Sequence, residues 1–242
     1  MNLSTKPARA FRQFGFVATL CFSLAALPLC AKDLHYLPKN KPDAITLLAP
    51  PPLADSPEQA ADLREVREVH EAASASDLTA AKEESKFSIF TFTPAIGDFF
   101  QPGKFPVTET FMHNVLSDAG VVIDGAKDYW KRPRPYVIDP SLASGKLETS
   151  FSYPSGHSTG SMVLALVLAD LFPDKHDAII AVARDIGWHR VEYGRHYATD
   201  VFAGRVLAQA IVREMKKDPD FQRDFAAAQA EIAAAGIAEK AN

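Results

Sequence analysis

One stretch of the sequence constrains the fold more than any other: YPSGHST at 153–159, followed by the apolar run 162–172. Proline and glycine at its start disfavour a helix interior, and residues 157–172 contain no breaker apart from Gly160, so a helix is predicted to begin near Ser155. The first turn of a helix has unpaired N–H groups and the positive end of the dipole. The stretch therefore predicts an anion-binding helix terminus, although taken alone it also fits an ordinary capped core helix.

Three residues of this first turn suit a phosphate. Ser155 offers a hydroxyl donor, and Gly156 lets an anion come close to the backbone. His157 is a proton donor whose ordinary pKa lies near physiological pH.

The rest of the chain predicts further helices. Apolar residues recur at intervals of three and four, and no run alternates long enough for a confident strand. The predicted helices begin at Ser56-Pro57, at Asp77, at Val107, after Pro173-Asp174, near His196 and at Asp218-Pro219. We therefore predict an all-α, single-domain helical bundle around a central apolar helix at about 158–172, the domain occupying 58–242.

The N-terminal region predicts export. In residues 1–31, three basic residues precede an uncharged apolar run at 14–29, which is the layout of a secretory signal peptide. An uncleaved signal anchor and a lipidated Cys30 are the alternatives. Residues 32–57 are rich in proline and predict an extended N-terminal arm.

Composition excludes several classes of function. Both cysteines, Cys21 and Cys30, lie in the predicted leader, so a mature chain has neither cysteine catalysis nor a zinc–thiolate site. The formal net charge of −4 becomes more negative without the leader, which makes nucleic acid an unsuitable partner. No later apolar run reaches the length of a membrane span, so no stable membrane insertion is expected after processing.

Five further residues complete a candidate site. Lys127, Arg134 and Arg190 supply cationic donors that match phosphate oxygens. His196 and Asp200 are four apart on a predicted helix, so the carboxylate can fix the imidazole tautomer and direct its other nitrogen. Three cations, a helix terminus and two histidines fit an in-line phosphoryl transfer without a metal or cofactor.

The neighbouring basic residues receive a different interpretation. Lys131 and Arg132 are predicted to form a solvated basic edge rather than part of the site.

Three separated blocks carry a resemblance to a known superfamily: Lys127-x6-Arg134-Pro135, Pro154-Ser155-Gly156-His157 and Arg190-x5-His196-x3-Asp200. The pattern resembles that of the type-2 phosphatidate phosphatase and vanadium haloperoxidase superfamily. Tyr36-Leu37-Pro38, Pro50-Pro51-Pro52 and the leader are similar to the class A bacterial non-specific acid phosphatases. That resemblance covers most of residues 32–235. It implies an all-α periplasmic enzyme that hydrolyses many phosphomonoesters at acid pH without a metal.

The resemblance also implies a role for each matching residue. His196 would be the nucleophile that forms a phosphohistidine, Asp200 would orient it, and His157 would protonate the leaving alcohol and then activate water. The residues implied to hold the phosphoryl oxygens are Lys127, Arg134, Ser155, Gly156 and Arg190. The substrates would be nucleotides, sugar phosphates or aryl phosphates, and a homo-oligomer is left open.

The chain departs from the family pattern at one position. His189 stands where the family usually has a serine, and it either alters the pocket or faces outward without a role. Three alternatives for the function remain: a vanadate-dependent haloperoxidase, a lipid-phosphate phosphatase and a non-catalytic phosphate-binding protein.

Overall fold

The periodic segments form helices in the computed structural model, which describes Met1 and residues 34–240. Within this range the α-helices are α1 (Ala44–Leu47), α2 (Pro57–Ala72), α3 (Ala75–Glu83), α4 (Thr93–Ile96), α5 (Pro106–Trp130), α6 (Pro135–Ile138), α7 (Gly156–Leu171), α8 (His176–Glu192), α9 (Ala198–Met215) and α10 (Pro219–Lys240). Short 3-10 helices occupy Glu84–Lys86, Ile89–Phe92, Pro140–Leu142 and Pro173–Lys175. The described residues contain no strand, and the predicted all-α fold is confirmed.

The predicted signal peptide, apart from Met1, lies outside the described residues. The described residues 34–240 belong to one compact unit. None of the described helices combines the length and apolarity needed to cross a membrane.

Helix α7 lies among three others. Of its 16 residues, 12 are buried, because the helix is apolar on nearly every side and packs against α5, α8 and α9. Glycines on two of these neighbours permit a close approach to its first turns. A Cβ at Gly187 of α8 would lie 3.1 Å from Oγ of Ser158, and one at Gly204 of α9 would lie 2.9 Å from Oγ1 of Thr159. Both helices therefore reach the N-terminal end of α7.

The proline-rich segment before α2 is fastened to the helices at two points. The backbone N–H groups of residues 35–37 donate to the buried carboxylate of Asp118 on α5, at 2.8–3.1 Å. Farther along, the hydroxyl of Tyr153 donates to the carbonyl of Ala49 at 2.6 Å. Because Tyr153 lies just before α7, this segment braces the approach to the N-terminus of that helix.

Two predicted helix starts are wrong by a few residues. Helix α3 begins at Ala75, because Ser74 is its N-cap and Asp77 completes a capping box as the third helical residue. Helix α9 begins at Ala198 and not at His196, which lies just outside it. In both cases an acidic side chain in the first turn satisfies backbone N–H groups.

Candidate active site

Three segments distant in sequence converge around His196. The structure places Lys127 in the last turn of α5, Arg134 shortly after it, and Arg190 at the end of α8. These three cations and His157 all act electrostatically on the His196 ring, so the predicted residues share one site. The convergence follows from the packing of α5, α8 and α9 around the start of α7.

His196 is held at both ring nitrogens. Its side chain is 1% exposed, and Nδ1 lies 3.3 Å from Oδ2 of Asp200 and 3.3 Å from Oγ of Ser152. Nε2 lies 3.1 Å from Nη1 of Arg134, which can only donate. This assigns the proton to Nδ1 and a lone pair to Nε2. The carboxylate thus fixes the tautomer, as the spacing predicted, although His196 itself precedes the helix.

The environment keeps the His196 ring neutral. Burial, followed by the charges of Arg134, Lys127, Arg190 and His157, lowers the pKa of His196 well below its ordinary value. A neutral imidazole retains its nucleophilic lone pair in acid solution, where an exposed histidine becomes protonated.

The prediction of a solvated Arg132 is wrong. Its side chain is 2% exposed and donates at 2.6 Å both to Oδ1 of Asp200 and to Oδ2 of Asp62, with the guanidinium carbon 3.8 Å from the centre of the Tyr197 ring. Lys131 is exposed, as expected. It ends α5 in the left-handed conformation, with φ of 49°, and this turn directs Arg132 inward. Arg132 therefore supports the carboxylate that orients His196.

The cations near His196 are bonded to the loop before α7. Arg134 donates from Nε to the carbonyl of Ser150 at 2.8 Å and from Nη2 to its hydroxyl at 3.0 Å. Nζ of Lys127 donates to the carbonyl of Phe151. Burial, followed by the charge of Arg134, lowers the pKa of Lys127 to about 7. Lys127 therefore carries its full charge only in acid solution and is about half protonated near pH 7.

Sequence reasoning missed an acidic residue among these cations. Glu148 places Oε1 at 2.5 Å from Nη2 of Arg190, and Oε2 at 3.7 Å from Nη1 of Arg134 and 3.6 Å from Nε of Arg195. Burial raises the pKa of this carboxyl, but the three arginines outweigh that effect and lower it. Buried Arg195 was also missed. Glu148 lies in an irregular polar connection, where no helical spacing indicates its position.

His157, the second residue of α7, has one free ring nitrogen. Its ring centre is 5.5 Å from that of Phe87, and a hydrogen bond to the backbone of Ser85 favours the protonated ring. Nε2 is buried and has no hydrogen-bond partner among the described residues. Burial, followed by the charge of Arg190, lowers the pKa of His157 to about 3. Among the described residues, no protein group therefore competes with a substrate atom for Nε2.

The start of α7 combines capping with proximity to a cation. The hydroxyl of Ser155 accepts the N–H of Ser158 at 3.3 Å, so Ser155 is the N-cap and the helix begins at the next residue. A Cβ at Gly156 would lie 3.7 Å from Cε of Lys127, which puts the ammonium stem beside the first turn. In the described part of the chain, no group of three or more His, Cys, Asp or Glu side chains is arranged to hold a metal ion.

Known proteins are similar to this chain in sequence and in fold. The family model described as the PAP2 superfamily matches residues 111–223. A non-specific acid phosphatase of Providencia stuartii is 30% identical over 239 residues, covering 90% of this chain and 94% of that protein. The chain belongs to the PAP2 superfamily. The predicted resemblance to class A non-specific acid phosphatases, which are phosphomonoester hydrolases, is confirmed at the level of the family.

Two solved structures share the PAP2 fold. A bacterial vanadium-dependent iodoperoxidase has a TM-score of 0.56 and 19% identity, covering 70% of this chain and 52% of that one. A transmembrane PAP2-type phosphatidylglycerolphosphate phosphatase from Bacillus subtilis has a TM-score of 0.51 and 22% identity, covering 68% of this chain and 87% of that one. At this identity both likenesses concern the fold alone.

Proposed function

We propose that the chain is a periplasmic, metal-independent acid phosphatase that hydrolyses a broad range of phosphomonoesters through a phosphohistidine intermediate on His196. The observation that carries the mechanism is the buried, neutral His196, with Nδ1 held 3.3 Å from Asp200 and Nε2 directed at the guanidinium of Arg134. A phosphoryl group that accepts the N–H of Arg134 would release that lone pair for attack on phosphorus.

The first step transfers the phosphoryl group to the enzyme. The lone pair on Nε2 of His196 forms a bond to phosphorus while the ester P–O bond breaks on the opposite side. The departing alkoxide takes its proton from Nε2 of His157, which has no protein hydrogen-bond partner among the described residues. Lys127, Arg134 and Arg190 would offset the charge on the three equatorial oxygens.

The second step returns the enzyme to its starting state. His157, now neutral, accepts a proton from a water molecule, whose oxygen attacks phosphorus. The P–N bond breaks, its electron pair returns to Nε2 of His196, and inorganic phosphate leaves. The proton taken from His157 in the first step is regained in the second.

The low pKa of His157 explains why acid conditions would favour the reaction. With its pKa at about 3, the free enzyme does not hold the proton that the leaving group needs. A phosphomonoester loses its second proton near pH 6, so below that pH it arrives as a monoanion carrying the proton. Its remaining charge next to His157 also favours the protonated ring. The proton therefore enters with the substrate.

Location and substrate range rest on two further features. The signal-like layout of residues 1–31 supports export. The protein groups proposed to bind the substrate contact only its phosphoryl oxygens and its leaving oxygen. Because nucleotides, sugar phosphates and aryl phosphates share these atoms, all three are proposed as substrates. The Providencia stuartii relative is itself named non-specific.

The deciding experiment measures release of inorganic phosphate from nucleotides, sugar phosphates and aryl phosphates at several pH values, with and without a chelator. We expect activity on all three classes below neutral pH, resistance to the chelator, and a phosphoenzyme that survives alkaline quenching, which preserves the P–N bond, and that is absent in His196→Ala. The matched control is His176→Ala, because His176 is an exposed histidine at the start of α8. Full activity in His196→Ala would refute the mechanism, and halide oxidation on adding vanadate without phosphate release would favour a haloperoxidase.

A further inference from the structure

His189 and Glu84 form a half-buried pair beside the active site. Nδ1 of His189 lies 2.7 Å from Oε2 of Glu84, and the side chains are only 16% and 17% exposed. His189 belongs to α8 and immediately precedes Arg190, whereas Glu84 begins the 3-10 turn that follows α3. The pair therefore fastens one chain segment to the helix that carries Arg190.

The fastened segment, residues 81–87, contacts the active site at three points, and we call it the strap. The carbonyl of Ala81 accepts a hydrogen bond from Nη1 of Arg190 at 3.3 Å. The backbone of Ser85 is hydrogen-bonded to the ring of His157, and the ring of Phe87 packs against that ring at 5.5 Å. The strap thus fixes the ring orientation that leaves Nε2 of His157 free.

We propose that His189 and Glu84 are positioning residues, which hold the strap in place and so set the geometry of His157 as proton donor to the leaving group. The proposal rests on the proposed function, because it assigns the pair an effect on the acid step of that reaction. It also gives a role to the residue at which the chain departs from its family. Neither side chain needs to touch the substrate.

The charges around His189 favour its protonated form. Glu84 and Asp77 face it from the strap side, Glu192 and Asp185 belong to its own helix, and all four are acidic. From α2, Nδ1 of His70 lies 2.5 Å from the carbonyl of Glu192. The hydrogen bond with Glu84 accordingly raises the pKa of His189, against the lowering effect of burial. The pair is charged below that raised pKa, and its attraction weakens as the pH rises through it.

The test compares leaving groups. In His189→Gln and Glu84→Gln we expect kcat/KM for an alkyl phosphate to fall roughly tenfold, with little change for nitrophenyl phosphate, whose leaving group needs no acid. The double variant should lose no more than either single variant, because the two residues act as one unit. The difference from wild type should be largest at acid pH, where the pair is charged. Equal losses on both substrates, additive losses or unchanged kinetics would overturn the proposal.

Two controls separate the possible failures. His176→Gln removes an exposed histidine–aspartate pair at the other end of α8, about 20 Å away by helix rise, and should leave the substrate ratio unchanged. His157→Ala tests the proposed function itself: equal losses there would refute the acid role of His157. Selective loss in His157→Ala without selective loss in His189→Gln would overturn the role of the pair alone. Thermal unfolding of every variant identifies a folding defect. If His189→Gln is poorly folded, the kinetics of Glu84→Gln test the positioning role of the pair.

Discussion

Oε1 of Glu148 lies 2.5 Å from Nη2 of Arg190, so an anion of the protein itself already occupies part of the cationic site. A phosphate that binds Arg190 must displace this carboxylate or share the guanidinium with it. We predict that Glu148→Gln lowers the inhibition constant for inorganic phosphate by roughly five- to tenfold, equivalent to about 1 to 1.4 kcal/mol, because the competing charge is removed.

The control for this prediction is Glu71→Gln, which removes a carboxylate from the exposed face of α2. It should leave phosphate inhibition unchanged at constant ionic strength. Weaker phosphate binding in Glu148→Gln would mean that Glu148 organises the arginines rather than competing with the substrate.

The bridge from Arg132 to two buried carboxylates predicts a large loss of stability. Replacing Arg132 with methionine leaves Asp200 and Asp62 buried without their cation, and we expect the free energy of unfolding to fall by about 3 to 5 kcal/mol. kcat should fall as well, because Asp200 then no longer orients His196. Urea denaturation and steady-state kinetics measure the two effects.

The neighbouring residue supplies the matched variant. Lys131→Met removes an exposed charge one position away, and we expect a change within about 0.5 kcal/mol and unaltered kcat. Similar losses in the two variants would contradict the burial of Arg132.

The start of α7 and the contact between His196 and Asp200 show how much of the site could be predicted from the sequence. The start of α7 was predictable because proline, serine and glycine act locally, and the helix begins at Gly156, next to the predicted position. The contact between His196 and Asp200 was also predicted from their spacing. The prediction placed both residues on one helix, whereas His196 lies before α9. Asp200 accepts the N–H of Tyr197 at 3.0 Å as a first-turn cap, and this brings its carboxylate back to the ring.

The remaining site residues could not be found in the same way. Glu148 and Ser152 reach the site through the path of an irregular connection, and the direction of Arg132 depends on one left-handed residue before it. Such contacts are set by tertiary packing, which no local period encodes. The positions of the helices were therefore easier to predict than the side chains that contact His196, Asp200 and Arg190.

Lys127 predicts a limit on anion binding at high pH. Its pKa of about 7 means that the site holds this positive charge below pH 7 and loses it above. Sulfate remains a dianion throughout, so above pH 7 its inhibition constant should rise with pH as Lys127 loses its proton, approaching tenfold per pH unit. Lys127→Met should bind sulfate weakly without that rise. A wild-type constant that stays level up to pH 9 would show that Lys127 is not the titrating group.

Helices α7 and α9 are in close contact at Gly204. A Cβ at Gly204 would lie 2.9 Å from Oγ1 of Thr159 and 3.0 Å from the carbonyl oxygen of Ser155, and a backbone atom cannot move aside as a flexible side chain can. Gly204→Ala should therefore push the two helices apart, reduce the free energy of unfolding by about 1 to 3 kcal/mol and lower kcat, because the start of α7 moves away from Asp200. Gly120→Ala in α5 meets nothing within 4 Å and should stabilise by about 0.4 to 1 kcal/mol with kcat unchanged. If Gly204→Ala keeps full stability and activity, the helices have room to separate, and the site does not depend on their close contact.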